Sequence, residues 1–158
     1  MPRHKDEADW SGVKLESVNV AGGKPNPQFI HNGNCYVTEG EWLLAQALDA
    51  QGVPFTPNVR FVLKPSKTAR GERTPRDSIY VPDFIFNKQA YIWTDPDTGE
   101  EELIHGLEAK GSRRRQGHGY RKINLLWQSR RIRVKLLSAP DIKRLIAAGG
   151  LPLRPYRP

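Results

Sequence analysis

The sequence predicts an α+β domain, a small mixed sheet with helices packed on it. Three observations predict it. Apolar residues recur at helical spacing after Thr38 and across 120–129; short β-branched and aromatic runs fill the intervals; and Gly, Pro, Asn and Asp separate the segments. With 158 residues the chain has material for one hydrophobic core rather than two.

Residues 1–37 are polar at the start and dense in Gly, Pro and Asn from 21 to 34, which predicts an irregular or loosely docked N-terminal region. The domain proper is expected over 38–149. Thr38-Glu39-Gly40-Glu41 has the Thr-x-x-Glu pattern of a capping box, and Leu44, Ala45 and Leu48 follow at helical spacing until Gly52 and Pro54 stop the helix. Val59-Arg60-Phe61-Val62-Leu63 alternates as a strand and runs into Lys64–Pro75, a basic loop without apolar periodicity. Ile79–Phe86 reads as the second strand, with Val81 and Ile85 bracketing Asp83 on one face.

Tyr91-Ile92-Trp93, the turn Thr94–Glu100 and Leu103–Lys110 read as strand, turn and strand. Tyr120, Ile123, Leu126 and Trp127 mark a second helix, and Ile132–Leu137 a further strand. Ser138-Ala139-Pro140-Asp141 opens a last helix closed by Gly149, and the Pro-rich tail 150–158 is expected to be extended.

Lys and Arg number 25 against 17 Asp and Glu, a formal charge of +8 and a pI near 9.8, which favours a polyanionic partner, nucleic acid or an anionic membrane surface. The apolar runs are too short to cross a bilayer and the first ten residues have no signal-peptide core, so a soluble, intracellular (cytoplasmic) protein without a membrane partner is expected. The single Cys35 excludes an internal disulfide and a Cys-rich zinc site. With Gly33 and Asn34 beside it, Cys35 reads as part of a turn rather than as a thiol activated by His31. Asp95-Pro96-Asp97-Thr98-Gly99 lacks the glutamate and spacing of a calcium loop and reads as a solvated turn.

The stretch His105–Arg115, HGLEAKGSRRR, ends a strand on Glu108 and Lys110. Two residues apart, they point to one face. Asp83 lies 25 positions earlier, and a returning path brings the two carboxylates side by side. Such a pair repels unless a cation lies between or a pKa rises. Oxygen donors of this kind suit Mg²⁺, and a lysine two residues on can orient a bound water. The bland readings are a turn-capping Asp83, an exposed Glu108–Lys110 ion pair and a Glu41 that only caps its helix.

Val81-Pro82-Asp83-Phe84 followed by Leu107-Glu108-Ala109-Lys110-Gly111 resembles the signature of the PD-(D/E)XK nuclease superfamily, which includes many restriction enzymes and Holliday junction resolvases. The element order also matches that family's αβββαβ, restriction-endonuclease-like core, over roughly Thr38 to Leu137. The resemblance implies that Asp83 and Glu108 bind Mg²⁺, for which Mn²⁺ can substitute, helped by the Ala109 carbonyl, and that Lys110 positions the attacking water. A glutamate of the first helix often completes such a site, here Glu41, with Glu39 as the fallback. Cleavage leaving a 5′-phosphate and a 3′-hydroxyl is implied.

From Lys110 to Lys135 there are ten Lys or Arg and no acid, the one-sign pattern that phosphate contacts require. Arg113, Arg114 and Arg115 are candidate backbone clamps, and Arg121 or Lys122 candidate contacts to the scissile phosphate. Lys67, Arg70 and Arg73 lie in the candidate groove-reading segment Ser66–Arg76. Gly117-His118-Gly119 reads as a hinge, and Trp42, Trp93 and Trp127 as packing residues. The function expected is a Mg²⁺-dependent DNA endonuclease, site-specific (restriction or homing type) or structure-specific like a Holliday junction resolvase, acting as a homodimer or higher oligomer because duplex cutting needs two sites or two visits. The alternative is a non-catalytic nucleic-acid-binding module with structural carboxylates. An RNA-binding accessory protein is a third reading, against which stands the lack of an aromatic-rich sheet signature.

Overall fold

The computed structural model describes residues 5–18, 27–63, 79–110 and 116–158, the side chains of 116–119 excepted. Its first regular element is a hairpin, β1 (Ile30–His31) with β2 (Asn34–Cys35). Asn32 and Gly33 take φ of 48° and 78° at its tip, the left-handed pair that a two-residue hairpin turn demands. The hairpin is pinned to helix α1 (Glu39–Ala50): Trp42 Nε1–H donates to the Ile30 carbonyl at 3.0 Å, and the Phe29 ring lies 5.4 Å from the Trp42 ring. Residues 27–35 are therefore more ordered than their composition suggests. The α1 capping box forms as expected, with the Glu41 N–H donating to Thr38 Oγ1 at 3.2 Å and the Thr38 N–H to Glu41 Oε2 at 3.0 Å.

The main sheet takes its first strand from β3 (Phe55–Pro57) rather than from Val59–Leu63. Pro54 and Pro57 obscure this strand in the sequence, and its place at the sheet edge is what tolerates Pro57. Phe61–Val62 (β4) pairs instead with Ile79–Tyr80 (β5) as a separate two-stranded ribbon. The expected strand Ile79–Phe86 thus breaks at Val81-Pro82 and resumes as β6 (Phe84–Phe86), antiparallel to β3. β7 (Tyr91–Thr94) and β8 (Glu101–Ile104) form a hairpin in another sheet. The chain then bends at His105 and enters the main sheet as β9 (Gly106–Ala109), antiparallel to β6. What reads as one strand over Leu103–Lys110 is therefore two. Gly106 is needed at the crossing, because a Cβ there would lie 2.3 Å from the Phe84 carbonyl oxygen.

Helix α2 (Gln116–Arg130) is the crossover that lets β10 (Val134–Leu137) pair parallel to β9. Its backbone is helical through Gly117–Gly119, so the expected hinge is absent there. Helix α3 (Ala139–Ala147) follows, with Ser138 as N-cap, and the tail is extended as expected and pairs as β11 (Leu153–Pro155) against β7. The order in the main sheet is β10-β9-β6-β3. Helices and sheets together make an α+β fold.

Both faces of this sheet are covered, which is why Phe84, Ile85 and Phe86 are all fully buried. Leu44, Leu48, Phe84, Leu107 and Ile142 share one core cluster, and Phe61, Tyr80, Ile85, Leu126 and Val134 the other. Residues 5–18 complete the second cluster with Ala8, Trp10, Val13 and Leu15. They dock through an Asp9 N–H bond to the Arg130 carbonyl at 2.7 Å and through Arg130 Nη1 to the Ser11 carbonyl at 2.7 Å. This part of the N-terminal region is irregular but not loose. No helix among the described residues is long and apolar enough to cross a membrane.

Candidate active site

Because β6 and β9 run antiparallel with Phe84 opposite Leu107, the start of β6 meets the end of β9. This register brings Asp83 and Glu108 together across 25 positions. The Ala109 N–H donates to Asp83 Oδ2 at 2.8 Å, tying the two motif halves directly. The contact described for Ala109 thus runs through its N–H.

Glu41 reaches the same place from α1. Its Oε2 accepts the Val37 and Thr38 N–H groups at 3.2 and 3.0 Å, and its carboxyl also hydrogen-bonds that of Asp83. Capping and a place in the site are compatible for this residue. Glu39, the fallback, is half exposed and ion-paired to Lys143 of α3 at 3.5 Å.

The electrostatics are those of like charges packed together. Burial, then the nearby carboxylates of Glu41 and Glu108, hold the Asp83 pKa well above the usual carboxylate range, against the opposing pull of the Ala109 N–H. Burial likewise pushes Glu108 up to about 7, with Glu41 adding to the shift and Tyr80 and Lys122 opposing it. Carboxylates this close repel when ionised, and a divalent cation between them would offset that repulsion.

The donor chemistry fits Mg²⁺ or Mn²⁺. No group of three His, Cys, Asp or Glu side chains among the described residues is disposed to hold a metal on its own. Mg²⁺, however, needs only one or two carboxylates, with waters and a substrate phosphate completing its shell. Asp83 and Glu108 are such a pair.

Lys110 follows at the strand end, half buried, its N–H bonded to the Leu137 carbonyl at 2.6 Å. Lys122, on the second turn of α2, is near enough to Glu108 to lower its pKa, while Arg121 is exposed. Arg113, Arg114, Arg115, Lys67, Arg70 and Arg73 lie outside the described residues. At the other end of α2, the guanidinium groups of Arg131 and Arg133 lie 5.1 and 4.1 Å from the Trp127 ring centroid, so this tryptophan organises two cations besides packing.

The remaining sequence candidates stay outside the site. Cys35 is exposed, and His31 bonds Asp49 instead. Asp95 Oδ1 accepts the Asp97 and Thr98 N–H groups at 2.8 and 3.0 Å, which holds its pKa below the usual range and closes an ordinary turn.

One residue escaped the sequence reading. Tyr80, buried on β5, donates its hydroxyl to Glu108 Oε2 at 2.9 Å. No pattern in the sequence marks this bond, because its two partners lie 28 positions apart.

No protein-family model matches the chain, and searches of curated proteins and of solved structures find no match.

Proposed function

We propose that the chain is a metal-dependent DNA endonuclease built on a restriction-endonuclease-like core. The observation that carries this reading is the convergence of Asp83, Glu41 and Glu108 at one partly buried point, with Lys110 at the adjoining strand end. The order α1, β3, β6, β9, α2, β10, with β10 alone parallel to its neighbour, supports it, because it is the αβββαβ arrangement that the motif resemblance implies.

Asp83 and Glu108 would hold Mg²⁺, which when bound supplies Lewis-acid polarisation of a phosphodiester and a more acidic water. Glu41, fixed by its own helix cap, restrains Asp83 from the third side. The Lys110 ammonium orients the attacking water and offsets the negative charge that grows on the phosphoryl oxygens. The water oxygen bonds to phosphorus, the bond from phosphorus to the 3′ oxygen breaks, and that oxygen leaves with a proton. The products are a 5′-phosphate and a 3′-hydroxyl. Lys122 and Arg121 contact the flanking phosphates. Duplex cleavage calls for a second copy, so a homodimer or larger assembly belongs to the same proposal.

The test is cleavage of supercoiled plasmid and of a four-way junction, with Mg²⁺ or with EDTA, by wild type and Lys110→Ala. The expected result is Mg²⁺-dependent cutting that falls about 10²- to 10³-fold in the variant. Salt-sensitive binding without cutting of either substrate favours the non-catalytic nucleic-acid-binding module instead.

A further inference from the structure

Tyr80 occupies an unusual place. It lies at the end of the two-stranded ribbon, with Phe61 as its cross-strand partner and its ring in the cluster of Phe61, Ile85, Ile123 and Leu126. It is 4 % exposed, yet its hydroxyl is not spent within that core. It points out of the cluster to Glu108 Oε2, at 2.9 Å.

A buried phenol that only packed would be served as well by phenylalanine. The hydroxyl is kept for one partner, the Glu108 carboxylate beside Asp83. The bond occupies one of the two carboxylate oxygens and orients the group, so the second oxygen is left to face another ligand.

We infer that Tyr80 is a positioning residue for the divalent cation, orienting Glu108 so that its second oxygen serves as a ligand. This rests on the metal-dependent reading of the Asp83–Glu108 pair. Groups that orient metal ligands are commonly worth about ten- to a hundredfold in metal affinity. The dependence runs through Glu108 alone, because Asp83 is held by a different donor, the Ala109 N–H. The ribbon that carries the basic Lys64–Pro75 segment thereby ends in direct contact with a metal ligand.

The test measures Mn²⁺ binding calorimetrically at pH 8 and without DNA, using wild type, Tyr80→Phe, Glu108→Gln, the double variant and Asp83→Asn. Tyr80→Phe keeps the ring and loses one oxygen, and near-UV circular dichroism with thermal unfolding verifies each fold. A core control, Phe61→Leu, loosens the same ribbon without touching Glu108. The expected result is a loss of about tenfold or more in Tyr80→Phe, affinity within about twofold of wild type in Phe61→Leu, and no added loss from Tyr80→Phe in the Glu108→Gln background. An equal loss in both backgrounds, or the same loss in Phe61→Leu, makes the tyrosine merely structural and overturns the inference. Wild-type affinity in Tyr80→Phe overturns it too, while leaving the metal site standing. If wild type and Asp83→Asn both fail to bind Mn²⁺, the metal-dependent reading itself falls, and the inference with it.

Discussion

Titratable groups of opposite character sit at the two ends of β9. At one end, His105 is 1 % exposed and fully satisfied: its Nδ1 accepts the Arg133 N–H at 3.0 Å, and its Nε2–H donates to Asp6 Oδ1 at 2.9 Å. Its edge meets the Trp10 ring, so it locks the N-terminal segment onto the second core cluster. At the other end, Glu108 shares a partly buried point with two more carboxyls, Asp83 and Glu41, and its pKa is pushed up to about 7. A satisfied buried group serves the fold, whereas a cluster of like charges works against it and marks a site under another demand. One short strand therefore carries a satisfied end and a crowded end.

On the proposed function, the largest expected effect comes from the crowded end. Asp83→Asn keeps an acceptor for the Ala109 N–H and removes a charge, so Mg²⁺-dependent cleavage should fall about 10³-fold or more in plasmid assays. His105→Ala probes the opposite end. It leaves the Arg133 N–H without its partner and opens a cavity, so it should lower stability by roughly 2–4 kcal/mol in urea unfolding, with residual cleavage in the folded fraction.

The pH dependence separates the ends by sign. Glu108 keeps its proton in the folded chain up to about pH 7, while the unfolded chain releases it near 4.5. The folded state binds more protons in that window, so this contribution to stability falls as pH rises from 4.5 to 7. Burial lowers the His105 pKa, so the unfolded state binds more protons below about 6.5 and that contribution is lost as pH falls. Unfolding of wild type against Glu108→Gln and against His105→Gln across pH 4.5–8 should give differences of opposite slope. The smallest effect is expected at Glu39, whose ion pair with Lys143 is half exposed. Glu39→Ala should shift stability by under about 0.5 kcal/mol and leave cleavage unchanged, in contrast to Glu41→Ala.

Much of this was legible in the sequence for local reasons. The Thr38–Glu41 box, the helical periods of α1 and α2, the Ser138–Asp141 start of α3, and the side-by-side return of Asp83 and Glu108 depend on spacing, and spacing is what a sequence displays. Misreadings arose where tertiary pairing decides. Phe55–Pro57 is a strand only because β6 lies beside it, and Leu103–Lys110 is split only because His105 and Gly106 pass between two sheets. The N-terminal hairpin was written in Asn32-Gly33, but the surrounding Pro and Gly masked it. Tyr80 was invisible as a site residue because a hydroxyl's partner 28 positions away has no periodic signature.

The most direct test of the proposed metal role is thermal unfolding of wild type and Asp83→Asn at pH 8, in EDTA and in Mg²⁺. Relief of like-charge crowding should make Asp83→Asn the more stable protein in EDTA, by about 1 kcal/mol or a few degrees in Tm, and Mg²⁺ should raise the Tm of wild type alone. An Asp83→Asn protein that melts below wild type in EDTA, with neither protein responding to Mg²⁺, would contradict the account and return Asp83 and Glu108 to a structural role.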